Sequence, residues 1–419
     1  MDSKPRRTGL VIVFLTVMID LLGFGIVIPL LPRYGKYFEA EGITLGLLMS
    51  SFSAMQFLFA PIWGRVSDRV GRRPILLMGL AGSTISYALF GWATGMERDA
   101  TVFGAGALTW LFITRIGAGI AGATIPTAQA YIADVTEASQ RSRGMALIGA
   151  AFGVGFTFGP LIGAFFVTED VGSAPSAGPG YAAAALSGFA FLYAMFKLPE
   201  SLKSDSRPTG HQWLDLGGLR FALGRPSIGI ILLAMFLTTF AFAQFEVTLS
   251  LLTQHMGLGQ RYNFYVFAYI GFILTLSQGF LVRRLLPIWG ETRMAMIGTV
   301  LMAVGLLLIG LTAQLESLPM LFSIVPLATI GFSACTPSLQ SLLSLRSLES
   351  EQGGILGVGQ SMSALARIGG PFVGTVLYFQ HITWPYWTGA ALMTVGIVLV
   401  GLLKQPAKHD APHATAVSE

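Results

Sequence analysis

The chain has 419 residues, 53% hydrophobic and only 11% charged, with 51 glycines, a formal net charge of +5 and a mean hydropathy of +0.68. Soluble domains carry about 25% charged residues, so this much apolar surface requires lipid as part of the solvent. The modest charge is no nucleic-acid footprint, and the single cysteine, Cys335, excludes an internal disulfide framework.

A spanning helix needs about 20 mostly apolar residues. In chain order the qualifying stretches are 9–31, 44–64, 75–95, 102–125, 143–167, 180–198, 227–251, 263–282, 293–313, 318–343, 353–379 and 384–403. The first follows a basic "MDSKPRR", as a secretory signal would. It is too long for one, holds Asp20 and lacks a small-residue cleavage site, so it reads as a retained helix. The longest polar connection divides the spans six and six. The expected organisation is a six-helix bundle at 1–198, a linker at 199–226, a second six-helix bundle at 227–404 and a tail at 405–419. The fold class is all-α integral membrane, twelve helices in two halves.

Orientation follows from where Lys and Arg fall. With the N-terminus in the cytoplasm, 20 of the 26 lie on the cytoplasmic side. Arg33, Lys36, Arg98 and Arg261 lie outside, and Arg115 and Arg367 lie within spans. Both termini are therefore expected in the cytoplasm. "GRVSDRVGRRP" (64–74) becomes the cytoplasmic loop between spans 2 and 3. The halves also repeat. "TIPTAQ" (124–129) matches "CTPSLQ" (335–340), and "GPLIG" (159–163) matches "GPFVG" (370–374), both at an offset of 211 residues. Six plus six spans with an internal repeat is a secondary-transporter architecture, with its substrate site at the midplane between halves.

Charge inside a span is expensive, about 2.5–3.5 kcal/mol at the helix centre on insertion scales, and such residues face a cavity or a partner. Asp20 in span 1 and Glu246 in span 7 are the acids well inside apolar spans; Arg115 in span 4 and Arg367 in span 11 are the bases. Asp20 is either a proton acceptor or a structural acid bonded to a neighbouring helix. Arg115 either tunes Asp20 as its ion-pair partner or bonds backbone carbonyls. Glu246 can bind a cationic substrate, take a second proton, gate the outer mouth, or simply reach interfacial water. Arg367 faces Glu246 or an anionic substrate, or bonds the backbone loosened by the glycines that follow it. Phe24, Phe156, Gln56, Gln244, Gln340 and Gln360 complete the candidate cavity, with interhelical hydrogen bonding the competing role for the glutamines and ordinary packing for the phenylalanines. Gly155, Gly159, Pro160 and Gly163 in span 5, with Gly370, Pro371 and Gly374 in span 11, suit close helix approach and kinking.

With these residues in view, the chain resembles the major facilitator superfamily, and within it the twelve-helix drug:proton antiporters that include the tetracycline exporters. "GRVSDRVGRRP" resembles the family's cytoplasmic loop pattern, G-x-x-x-D-R-x-G-R-R. "RIGAGIAGA" (115–123) resembles its fourth-helix arginine motif, "GVGFTFGPLIG" (153–163) its fifth-helix antiporter motif, and "IDLLGFGIVIPLLP" (19–32) its first helix. The resemblance implies that Asp68 caps the N-terminal end of span 11, near Gly353–Gly354, when the transporter is open outward. Gly64, Gly71, Arg69, Arg72 and Arg73 complete this latch, with Asp134 as a further partner. The plain alternative is that the arginines only enforce topology.

The reading is a proton-coupled antiporter of the plasma (inner) membrane, multi-pass and monomeric, exporting small lipophilic or cationic organic molecules by alternating access. The alternative is a symporter or facilitator for a sugar or organic anion; a transporter-like receptor is a third. No phosphate-binding G-x-x-x-x-G-K loop and no cluster of metal ligands is seen. The expected partners are substrate, protons and lipid, with no cofactor, no metal, no nucleic acid and no enzymatic chemistry.

Overall fold

A computed structural model describes residues 3–136, 141–170, 173–202, 226–347 and 352–403. In the first half, α1 (Ser3–Val27) and α2 (Leu31–Tyr37) form one interrupted span. Then come α3 (Gly42–Val70), α4 (Arg72–Thr94), α5 (Ala107–Ala121) with α6 (Ile125–Val135), α7 (Arg141–Ala164) and α8 (Gly178–Lys197). The second half has α9 (Pro226–His255), α10 (Gln260–Leu276), a π-helical turn at Ser277–Val282, and α11 (Arg283–Trp289). It closes with α12 (Glu291–Leu315), α13 (Leu318–Leu345), α14 (Gln352–Gln380) and α15 (Trp384–Gly401). Among the described residues, eleven helical segments are long and apolar enough to cross a membrane. Helix α14, at the eleventh predicted span, is 29 residues long; Arg367 and its run of glycines and serines dilute its hydropathy. Most of the expected linker and the whole tail lie outside the described residues.

The breaks have local causes. Pro29 and Pro32 cannot donate backbone hydrogen bonds, and residues 28–30 leave the helix between α1 and α2. The fourth span starts later than the sequence suggests. Residues 101–106 pair as a small antiparallel hairpin, with Phe103 and Gly104 at positive φ in its turn. The stretch 64–74, read from the sequence as a loop, is almost wholly helical. Residues 64–70 end α3 and residue 72 already begins α4, so the reversal falls on Gly71 alone, at φ 108°. That backbone conformation is open to glycine and strained for other residues.

Within each half the glycine motif packs its helix closely against the backbone of that half's first helix. A Cβ on Gly155 would meet Leu21 O at 2.8 Å, and one on Gly159 would meet Leu22 O at 2.7 Å and Gly25 Cα at 2.9 Å, so α7 lies directly on α1. In the second half a Cβ on Gly370 would meet Phe240 O at 2.7 Å, and one on Gly374 would meet Gln244 Cγ at 2.7 Å, so α14 lies on α9 in the same manner. At Gly159 and Gly370, 211 residues apart, the sequence repeat is also a repeat of packing, whereas Gly163 meets the Phe264 ring and its counterpart Gly374 meets Gln244.

The halves touch near one end of the molecule, here called the far end. It lies opposite the end that carries residues 64–74 and the start of α9. Ser50 Oγ of α3 donates to Ile368 O of α14 at 2.6 Å. Gly163 of α7 lies against the Phe264 ring of α10, and Thr157 and Thr275 hydroxyls meet at 3.3 Å. Around Gly64, Gly149, Gly279 and Gly357, a Cβ would find nothing within 4 Å.

Candidate functional site

Asp20 sits near the middle of α1, half-buried, where Ser187 Oγ of α8 donates to its Oδ1 at 2.8 Å. Below it runs a cleft lined by Val13, Thr16, Asp20, Leu80, Thr124 and Ile125. The floor of this cleft is the 3-10 turn Gly122–Thr124 between α5 and α6. That turn loosens the backbone, and α3 binds it: Gln56 Nε2 donates to Gly122 O at 3.1 Å and Trp63 Nε1 to Ile120 O at 2.8 Å. Gln56 therefore acts as an interhelical tether.

Asp20 and Arg115 do not form an ion pair. Arg115 is 4% exposed, and its guanidinium carbon lies 4.5 Å from the centroid of the Phe52 ring. Its Nε and Nη1 have no hydrogen-bond partner among the described residues. Tyr87 is within electrostatic reach of both Asp20 and Arg115. Phe52 stacks on Phe24 at 4.9 Å, Phe24 meets Phe156 edge-on at 6.0 Å, and Phe156 stacks on Phe152 at 6.4 Å. A buried cation thus lies at one end of a row of rings drawn from the second, first and fifth spans.

In the second half, every residue from Ala241 to Thr253 is buried except Glu246. Glu246 and Arg367 act on each other electrostatically, yet neither makes an ion pair among the described residues, and Arg367 is exposed. Gln244, expected to line the cavity, does not face it. It is fully buried, and its Nε2 donates to Pro385 O at 2.7 Å and Thr388 Oγ1 at 2.8 Å, tying α9 to α15. Gln340 is half-buried and Gln360 exposed.

The charges around Gly71 form a cluster within the first half. Arg72 pairs with Asp68, donates to Ser67 Oγ at 2.7 Å and meets Asp134 Oδ2 at 3.3 Å. Arg73 donates to Met195 O at 2.6 Å, and Arg69 is exposed. The side-chain surroundings of Gly353–Gly354, the expected target of Asp68, lie outside the described residues. An N-terminal carboxylate cap is present elsewhere. Glu200 accepts from the backbone N–H of Arg72 at 2.9 Å and of Arg73 at 3.1 Å, at the start of α4. A carboxylate there is favoured by the helix dipole. Arg72→Ala strands two carboxylates and a hydroxyl, and is expected to lower stability by about 1.5–3 kcal/mol. Thermal unfolding of the purified protein checks this, and an unchanged midpoint would show that the cluster is not structural.

Sequence reasoning did not find Ser187, Phe52 or Glu200. Phe52 lies one helical turn before Gln56 on the same face, and that spacing was the available signal. Ser187 and Glu200 carry none, because their partners lie 167 and 128 residues away.

The family model described as Major Facilitator Superfamily matches residues 13–371 and 285–418. Major facilitator superfamily domain-containing protein 10 of Mus musculus is 30% identical, over 97% of this chain and 96% of that protein. Tetracycline resistance protein, class C, of Escherichia coli is 30% identical, over 93% and 95%. Among solved structures, the human organic anion transporter MFSD10 (TETRAN) superposes with a TM-score of 0.69 at 28% identity, covering 94% of this chain and 99% of that one. A partially occluded inward-open xylose transporter XylE of E. coli superposes at 0.72 with 16% identity and so bears on the fold alone. The interrupted helices, the glycine-packed pairs repeated in each half and these likenesses along nearly the whole length lead to one assignment: the chain belongs to the major facilitator superfamily, a family of membrane transporters.

Proposed function

We propose that the chain is a proton-coupled antiporter that exports small lipophilic organic molecules, cations included, by alternating access. In this reading it works as a monomer in the plasma membrane with both termini in the cytoplasm. The bundles at 1–198 and 227–404 rock about the site between them. The observation that carries the proposal is Asp20. It is a carboxylate at mid-span, held by a neutral hydroxyl rather than by a cation, and it borders a cleft. A carboxylate so placed can be neutralised by taking up a proton and need not hold a permanent counter-ion. Glu246, alone among buried neighbours, supplies a second acid in the other half. The aromatic row from Phe52 to Phe152 gives an apolar substrate a surface, and Gln340, Gln360 and Arg367 would contribute from the second half.

The cycle starts with the far end open. Asp20 takes a proton there, and the molecule rocks so that the cytoplasmic end opens. Substrate enters, the proton leaves, and the reset carries substrate outward. The present arrangement corresponds to the cytoplasmic-open stage, since the halves meet at the far end. Asp68 is then turned to Arg72, and in the opposite stage it would move to the start of α14 as the latch.

A second reading has a specific basis. The two unpartnered N–H groups of Arg115, and an exposed Arg367 without an ion pair, would suit a carboxylate-bearing substrate. One solved relative is named an organic anion transporter.

Purified protein in liposomes holding a pH-sensitive dye separates the readings. A panel of lipophilic cations, tetracyclines, sugars and organic anions is added under a proton gradient. Proton movement opposite to a lipophilic or cationic substrate is the expected result. Movement in the same direction as a sugar or an organic anion would replace the antiporter with a symporter.

A further inference from the structure

Arg33 is one of three arginines that the positive-inside count places outside, and the structure gives it far more to do than that. It lies in α2, just beyond the break at residues 28–30, and is 3% exposed. Its guanidinium crosses from the first half to the second. Nε donates to Ser250 O at 3.1 Å, Nη1 to Leu258 O at 2.9 Å, and Nη2 to Thr253 Oγ1 at 2.9 Å. These acceptors cluster around the C-terminal end of α9, where the helix dipole favours a cation.

Neutral hydrogen bonds surround it. Pro29 O, freed by the helix break, accepts from Ser250 Oγ at 2.8 Å and from Asn263 Nδ2 at 2.8 Å. Tyr34 Oη donates to Gln260 Oε1 at 3.2 Å. What the set lacks is a carboxylate. Among the described residues Arg33 makes no ion pair, unlike Arg98, Arg261 and Arg72. A buried cation without a counter-ion bears an uncompensated desolvation penalty, which exposure to water removes.

We infer that Arg33 is the bolt of the far-end gate. Its three-acceptor fit holds the halves together there, and its missing counter-ion keeps that gate able to open. Arginine reaches the three acceptors from three separate nitrogens of a rigid fork, whereas lysine brings a single nitrogen. The inference rests on the alternating-access reading above.

Distances between spin labels at Asp99→Cys and Gln314→Cys, exposed far-end positions in the two halves, report the gate in the full-length protein carrying Cys335→Ser. The measurement is made with and without substrate and at two pH values. Arg33→Ala is expected to raise the ratio of far-end-open to far-end-closed molecules tenfold or more, a shift of about 1.4 kcal/mol. Arg33→Lys should give a smaller increase and stands in for Arg33→Ala if that variant does not fold. Thr253→Asp supplies the missing counter-ion and should shift the ratio the other way and slow turnover about tenfold. In the double variant with Arg33→Ala that closing effect should vanish. A wild type that alternates while the Arg33 variants match it would overturn the assignment and leave the transport reading standing. A wild type fixed at one distance under every condition would remove both.

Discussion

Asp20→Asn is expected to abolish substrate-driven proton movement while leaving a folded protein that still binds substrate. Asparagine keeps the size of the side chain and an oxygen to accept from Ser187 Oγ, so the contact between α1 and α8 survives. It removes the one property the cycle needs, a carboxylate that exists in two charge states. One pH unit is worth about 1.4 kcal/mol per proton. A coupled carrier can therefore sustain roughly a tenfold substrate ratio per unit of gradient, and the variant should sustain none. Accumulation in liposomes under an imposed gradient gives the first number, and thermal stabilisation by substrate gives the second. Full coupling in the variant would return Asp20 to a structural role. The same experiment on Glu246→Gln asks whether a second proton is carried. A halved gradient dependence would show that it is.

Gly25→Val should be among the most damaging substitutions for folding. A Cβ at Gly25 points into the Gly155 carbonyl, and one at Gly155 meets the Leu21 backbone. Both obstacles are backbone, so no side chain can rotate away, and the two helices must separate. Overpacking a tight interface costs about 1–3 kcal/mol, occasionally more. Here the larger end applies, because the α1–α7 contact also positions Asp20, Phe24 and Phe156. The variant should lose monodispersity in detergent or unfold many degrees below wild type. Gly149→Ala is the control on the same helix: a Cβ there meets nothing, so the change should be neutral or mildly stabilising, by about 0.4–1 kcal/mol. Equal behaviour of the two variants would mean that glycine content, rather than this contact, governs stability.

The apolar spans, the repeated motifs and the four ionisable residues inside spans were all legible in the sequence. Each of these is a local or periodic property. A run of about 20 apolar residues reports directly on the bilayer as solvent, and a charge within such a run is conspicuous whatever it touches. The glycine pattern also announced close packing in α7 and α14. Which side chains meet emerged only from the packed bundle. It separated Asp20 from Arg115, giving one to Ser187 and the other to Phe52. It buried Gln244 against α15 while leaving Glu246, two residues on, half-buried. It gave the cap at the start of α4 to Glu200 and made Arg33 a link between the halves. The physical reason is the same in each case. A side chain's partner across the bundle depends on helix rotation, tilt and breaks. Those are set by packing between segments more than a hundred residues apart.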